Sequence, residues 1–149
     1  MYKEMKTNAE LEAQGFWIEY YRDDGENDFR VRVARLTTTH PRYAKVIDQG
    51  VQRRGRRNGP GLGMAAMQQL QRRAFLGVVE EIVTGWQRWL DGEWRDGIEA
   101  EDGVSTISFT PENVRRTLEQ LPELCDELHN EAMASGNFRQ ERLEHDAGN

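Results

Sequence analysis

Histidine and cysteine are the residues of this chain that could support nucleophilic catalysis, and they are few. The histidines are His40, His129 and His145, and the single cysteine is Cys125. A nucleophilic site needs a serine or cysteine beside a base, and Cys125 lies four residues before His129 on one predicted helix. Cys125 also follows Leu124 in an apolar stripe, where a thiol ordinarily packs as a small hydrophobic side chain. We therefore expect a core cysteine and no catalytic residue.

Metal and cofactor chemistry has no recognisable motif in the sequence. No cluster of His and Cys has the spacing of a zinc site, and the segment DGEWRDGIEAEDG lacks the alternating oxygen ligands of an EF-hand loop. Among the 26 Asp and Glu residues, no pair is singled out by its position. We expect no metal, no cofactor and no enzymatic activity.

A basic, glycine-rich segment, QGVQRRGRRNGPGLG, is the candidate for contact with phosphate groups. It fits neither GxxxxGK[ST] nor a GxGxxG motif that follows a strand. Its glycines and Pro60 predict a flexible basic loop over residues 50–63. The loop is either solvated or in contact with a nucleic acid or a protein partner. The residues that would make such a contact are Arg53, Arg54, Arg56 and Arg57.

Apolar residues recur every three or four positions between Met64 and Leu90, which predicts one long central helix that organises the core. Its tryptophans, and Trp94 in the acidic segment that follows, pack either in the core or against a partner, because aromatic side chains concentrate at interface hot spots. The candidate protein-binding residues are Val78, Ile82, Trp86, Trp89 and Trp94.

Two segments near the N-terminus, FWIEY at 16–20 and FRVRVA at 29–34, are rich in aromatic and β-branched residues and are separated by the turn-forming RDDGEND. They predict a β-hairpin with one apolar face, which a helix must cover.

Proline and threonine residues mark the ends of the other predicted helices. Pro41 begins a short helix of about three turns, and Thr110 with Pro111 begins another, because proline suits the first helical position and threonine caps it. Pro122 forces a kink or a restart, and Gly136 ends the helical region. The inner face of the helix after Thr110 is predicted to carry Val114, Leu118 and Leu121.

The fold class that follows is α+β and mainly α. An N-terminal hairpin packs on a helical core that contains one long central helix and a C-terminal helical pair. The length of 149 residues suits one domain. Within 1–149, residues 1–15 form an N-terminal arm, 50–63 the basic loop and 137–149 a polar tail.

Charge is divided unevenly along the chain. Residues 1–75 carry 14 Lys and Arg against 9 Asp and Glu, a net charge of +5, whereas residues 76–149 carry 6 against 17, a net charge of −11. The halves either fold against each other or attract the complementary end of a second copy. A lone cysteine and the lack of an apolar N-terminal run favour the cytoplasm, and no stretch is apolar enough for a membrane span.

A resemblance to a known family runs in order over nearly the whole chain. It is carried by KTNAELEAQGFWIEY, FRVRVAR, PRYAKVID, VVEEIVTGWQRW, the acidic DG turn before ISFTPENVRRTLEQLPELCDEL, and NFRQERLE. Together these segments resemble the tail assembly chaperones of long-tailed, siphovirus-type bacteriophages and their prophages.

The resemblance implies a non-catalytic role in tail morphogenesis. Such chaperones coat the tape measure protein, keep it soluble, are displaced as tail-tube protein polymerises around it, and are absent from the finished virion. It also implies action in the cytoplasm of the bacterial host, and the charged halves suggest a homo-oligomer. The alternative function is a nucleic-acid-associated or regulatory phage protein that uses the arginine-rich loop 53–57.

Overall fold

The computed structural model describes residues 8–58 and 63–139, with side chains of residues 54–58 outside the description. The fold is α+β, as predicted, with an N-terminal antiparallel hairpin and a helical layer. The chain begins with helix α1 (Ala9–Gln14), whose N-cap Asn8 accepts hydrogen bonds from the Glu10 and Leu11 amides. Leu11 from this helix joins the main hydrophobic core.

A four-stranded antiparallel sheet has the order β1-β2-β3-β4. Strands β1 (Phe16–Tyr21) and β2 (Asn27–Val33) form the predicted hairpin. Strands β3 (Val83–Leu90) and β4 (Glu93–Asp96) extend the sheet beyond it. A separate pair, β5 (Ile98–Glu99) and β6 (Thr106–Ile107), follows directly.

The prediction of one helix from Met64 to Leu90 is wrong in its second half. Helix α3 spans Met64–Leu76, a single helical turn, α4, spans Val79–Ile82, and the chain then enters β3 at Val83. The register between β2 and β3 shifts at this point: Arg32 pairs with Gly85 but Val33 pairs with Val83. The shift lets Val83 and Trp86, three residues apart, both lie buried, and this spacing imitates a helix.

Helix α2 (Pro41–Asn58) is longer than predicted. The flexible loop predicted for residues 50–63 is wrong for residues 50–58, which are helical, and residues 59–62 lie outside the described part. Gly50 does not break the helix because it serves packing: a Cβ atom there would overlap the side chain of Leu70 on α3. The glycine allows the two helices to approach closely.

The C-terminal helical pair is confirmed. Helix α5 (Pro111–Gln120) begins after Thr110, whose hydroxyl accepts a hydrogen bond from the Asn113 amide at 3.1 Å, and α6 (Pro122–Met133) restarts at Pro122. A 3-10 turn, Ser135–Phe138, follows. The prediction of a polar tail over 137–149 is wrong at Phe138, which is buried, and residues 140–149 lie outside the described part.

The core joins both halves of the chain. Buried side chains from the sheet, α3, α5 and α6 form one cluster that includes Val33, Phe75, Leu118 and Leu128. Ion pairs join the basic half to the acidic half on the surface of the same body: Arg42 with Glu80 and Glu81, and Arg72 with Asp126. These contacts favour the intramolecular interpretation of the two charged halves.

Candidate protein-binding groove

Exposed apolar side chains converge on one recess beside the sheet. Leu90, Val104 and Leu121 are 36%, 82% and 49% exposed, and all three line a cavity of about 760 Å³. A neighbouring recess of about 470 Å³ shares Leu121, Leu124 and Phe29 with it. We call the two together the apolar groove. Clustered apolar exposure of this kind marks an interaction site more often than scattered apolar residues do.

The floor of the groove comes from the sheet and the helical pair. Phe29 on β2 stacks on Tyr20 of β1, with ring centroids 4.6 Å apart and planes 10° from parallel. Ile98 of β5 and Leu124 of α6 are partly buried and pack against the main core. Because these four side chains are held by regular elements, the floor is in place before any partner arrives.

Leu121 is exposed because of the junction at which it stands. It ends α5 and precedes Pro122, and its backbone adopts φ −123° and ψ 73°, which is not helical. Proline disfavours a helical conformation in the residue before it. The chain therefore leaves the helix at Leu121, which does not continue the inner face formed by the buried Val114 and Leu118.

Val104 is presented by a turn that Asp102 organises. The Asp102 carboxylate accepts hydrogen bonds from the Ser105 hydroxyl at 2.6 Å and from the amides of Ser105 and Val104 at 2.8 and 2.9 Å. These bonds, with that from the Ser105 hydroxyl foremost, lower the pKa of Asp102 to about 2. The carboxylate remains ionised at neutral pH and holds the turn that carries the exposed valine.

Two buried polar atoms border the groove. The Nε atom of Arg88 is buried and has no hydrogen-bond partner among the described residues. The Tyr20 hydroxyl is also buried, and it lies beside the Glu127 carboxylate. Burial raises the pKa of Tyr20, and the charge of Glu127, its contact with the hydroxyl and the charge of Glu131 raise it further.

The rim of the groove is predominantly acidic. Asp28 is compensated by Arg22, with 3.6 Å between Nε and Oδ1. The other carboxylates of the rim are Glu99, Glu101, Glu123 and Glu127.

Three of the predicted protein-binding residues are in the core. Val78, Ile82 and Trp86 are buried, and the Trp86 indole donates a hydrogen bond to the Ile107 carbonyl at 3.2 Å. The prediction of a partner surface at these positions is therefore wrong for the folded chain. Their burial follows from the turn at Gly77 and the entry into β3, which point this segment inward.

The other two predicted residues, Trp89 and Trp94, meet on neighbouring strands, and Trp89 also lines the larger recess of the apolar groove. Trp89 and Trp94 are cross-strand neighbours, with ring centroids 5.1 Å apart and planes at 71°. The Arg30 guanidinium lies over Trp94 at 4.4 Å and over Trp17 at 4.1 Å, and Gln87 Oε1 accepts hydrogen bonds from it. Because these side chains pack against one another, we interpret the cluster as one that stabilises the face of the sheet that the helices do not cover.

The structure describes only part of the arginine segment. Arg53 is exposed on α2, and the side chains of Arg54, Arg56 and Arg57 lie outside the described part. Contact of these arginines with a nucleic acid or a partner stays a prediction.

Cys125 and His129 are buried residues of the helical core. Burial raises the pKa of the Cys125 thiol to about 12 and lowers the pKa of His129. The His129 Nε2 atom and the Tyr43 hydroxyl are 2.7 Å apart in a buried hydrogen bond. The expectation of a core cysteine is confirmed, and the histidine has a structural partner.

Within residues 8–58 and 63–139, no group of three or more His, Cys, Asp or Glu side chains is placed to hold a metal ion. No helix in the same ranges is long and apolar enough to cross a membrane.

Comparison with known proteins identifies the family. The model of the YdaY prophage protein family matches residues 26–149, which is most of the chain. The protein belongs to this family. The match covers every side chain that lines the apolar groove except those of Tyr20 and Arg22. The phage or prophage origin expected from the sequence is thus confirmed. Neither the curated proteins nor the solved structures contain a significant match.

Trp89 is the groove-lining residue that the sequence predicts as a protein-binding position, and the exposed apolar residues of the groove are not predicted as such. The sequence predicts Leu121 on an inner helix face and Leu90 at the end of the long central helix, and it predicts no binding role for Val104. One signal was available: Val104 is a large apolar residue in an otherwise polar turn between Glu101 and Ser105. The convergence of strand, turn and helix junction has no counterpart in the linear sequence.

Proposed function

We propose that this prophage protein is a non-catalytic tail assembly chaperone that binds the tape measure protein in the host cytoplasm and keeps it soluble. The observation that carries the proposal is the apolar groove, a preformed and open surface with Leu90, Val104 and Leu121 exposed. Membership in a prophage family and the ordered resemblance to tail assembly chaperones support it.

The groove suits a client that is itself amphipathic. A helix of about 10–12 Å in diameter can lay apolar residues at positions i, i+3, i+4 and i+7 along such a surface. Binding would bury Leu121 and Val104 together with the apolar stripe of the client. Both partners would then hide surface that otherwise favours aggregation.

Release is as necessary to this function as binding. The groove is a surface recess and not an enclosed cavity, so a bound segment can leave without unfolding of the chaperone. We propose that tail-tube protein displaces the chaperone in this way, and that several copies bind along one extended client.

Co-expression with the tape measure protein of a long-tailed prophage tests the proposal. The wild-type chain is expected to keep the tape measure protein in the soluble fraction, whereas Leu121→Asp and Val104→Asp, tested separately, are expected to lose most of that effect. Both sites are exposed, so the variants should fold.

Met64→Asp is the matched control. Met64 is 92% exposed and does not line the groove, so the same change of polarity there should leave the tape measure protein soluble. Equal behaviour of all three variants, after circular dichroism shows that they are folded, would refute the groove as the client site.

A further inference from the structure

We propose that the groove selects a cationic amphipathic helix, that is, a client segment whose apolar stripe is flanked by Lys or Arg. This inference rests on the proposed function and specifies the chemistry of the client. It starts from helix α6, on which Glu123, Glu127 and Glu131 follow one another at i, i+4 spacing. Glu123 and Glu127 both line the groove.

Such a row is unfavourable in the free protein. Residues four apart on a helix are neighbours, and like charges at that spacing destabilise the helix. Some carboxylates elsewhere on the surface are paired with cations, such as Glu80 with Arg42 and Asp126 with Arg72. In the described part of the chain, no ion pair involves Glu99, Glu101, Glu123 or Glu127. Four carboxylates without an ion pair therefore line the groove, and they outnumber its two arginines, Arg88 and the Arg22 that is paired with Asp28.

Charge complementarity identifies the occupant. An acidic segment would be repelled by these four carboxylates, and a purely apolar segment would partly desolvate them without offering a counter-ion. A segment with cations beside its apolar stripe gains both the burial of its apolar side chains and the attraction of its cations to these carboxylates. Glu123 and Glu127 are separated by about 6 Å along the axis of α6, which matches two cations four residues apart on a client helix that runs alongside.

Two synthetic helical peptides of identical apolar pattern test the inference. One has Lys at the positions flanking the apolar stripe and the other has Glu, and binding of each to the full chain is measured by fluorescence polarisation at low and at physiological salt. The Lys peptide should bind and the Glu peptide should not. Glu127→Lys should weaken binding of the Lys peptide about tenfold at low salt.

Glu119→Lys is the matched control, because Glu119 is exposed on α5, does not line the groove, and changes the net charge equally. It should leave the affinity within about twofold of the wild-type value. Glu127→Gln removes the charge but keeps an acceptor beside the Tyr20 hydroxyl, so it should weaken binding of the Lys peptide and leave the Tm unchanged. A role for Glu127 confined to that contact would instead leave the affinity for the Lys peptide unchanged.

Several outcomes would overturn the inference. They are equal binding of the two peptides, equal loss of affinity in Glu127→Lys and Glu119→Lys, or a salt-sensitive dimer of the wild-type chain, seen by light scattering, that Glu127→Lys abolishes. The dimer would make a second copy the occupant. If the wild-type chain and Glu127→Lys keep the tape measure protein equally soluble, the charge inference fails and the chaperone function stands. If neither chain keeps the tape measure protein soluble, but the Lys peptide binds and the Glu peptide does not, the chaperone function fails and the charge inference stands.

Discussion

Replacing Phe138 by alanine should destabilise the protein strongly, although the residue lies in a segment whose composition suggests a polar tail. The Phe138 ring is fully buried and meets Phe16 of β1 edge to face, with centroids 5.2 Å apart and planes at 79°. The Phe138 carbonyl also accepts a hydrogen bond from the Asn8 amide. The 3-10 turn Ser135–Phe138 therefore connects the start of the chain to its last described helix.

The magnitude follows from the burial and the ring contact. Removal of a fully buried phenylalanine side chain costs about 3–5 kcal/mol, of which the edge-to-face contact with Phe16 contributes about 0.5–1.5 kcal/mol. Urea denaturation followed by tryptophan fluorescence measures the loss. For comparison, Phe109 is 39% exposed and makes an edge contact with Trp86 at 5.9 Å. Phe109→Ala should cost less than about 2 kcal/mol, since part of its side chain is already in water.

A similar loss in Phe138→Ala and Phe109→Ala would refute the reasoning, because it would mean that the C-terminal turn does not complete the core. A double-mutant cycle with Phe16→Leu isolates the ring contact. An interaction free energy near zero would show that the two rings contribute only through their burial.

Further predictions concern the tryptophan cluster, the buried histidine, the cysteine and the helical glycine. Arg30→Ala should lower the free energy of unfolding by about 1–2 kcal/mol and change the tryptophan emission, because Arg30 contacts two indoles and Gln87; no change in either would contradict the cluster. Because burial lowers the pKa of His129 from 6.5, stability should fall as the pH drops below 6.5, where the unfolded state takes up a proton that the native state refuses. Urea midpoints at pH 7.5 and 5.5 should show this loss, and His129→Gln should reduce it. Cys125 should react with a thiol reagent at pH 8 far more slowly in the native state than in urea, since burial raises its pKa to about 12; equal rates would indicate an accessible thiol. Gly50→Ala should lower the Tm because its Cβ would overlap Leu70, although alanine is the better helix former.

Local signals in the sequence were sufficient for the outer parts of the fold. Thr110 with Pro111 and the restart at Pro122 fix the C-terminal helices through capping and the missing amide of proline. The alternation of Phe29, Val31 and Val33 fixes β2 and its apolar face. Each of these signals acts within a few residues, so it is readable without knowledge of distant partners.

The prediction for residues 78–90 was wrong because their conformation depends on a partner strand. Val83 and Trp86 share the core face through a bulge, and the resulting spacing of three is also that of a helix. The β-branched residues Val78, Val79 and Val83 favour a strand only once β2 provides an edge with which to pair. The loop predicted at Gly50 was wrong for a related reason. The role of Gly50 as a helix contact depends on Leu70, which is twenty residues away along the chain.

By itself, the sequence determined the fold class, the hairpin, the C-terminal helical pair, the core position of Cys125 and the phage character of the chain, because capping, short-range periodicity and ordered resemblance are properties of linear segments. Only the tertiary structure decided that Trp86 is buried, that Arg30 lies over Trp17 and Trp94, and that Leu90, Val104 and Leu121 converge beside Glu123 and Glu127. A binding surface is a relation between segments that are far apart in the chain. Its geometry is set by how the strands, the turn and the helix junction pack, and no local pattern contains that information.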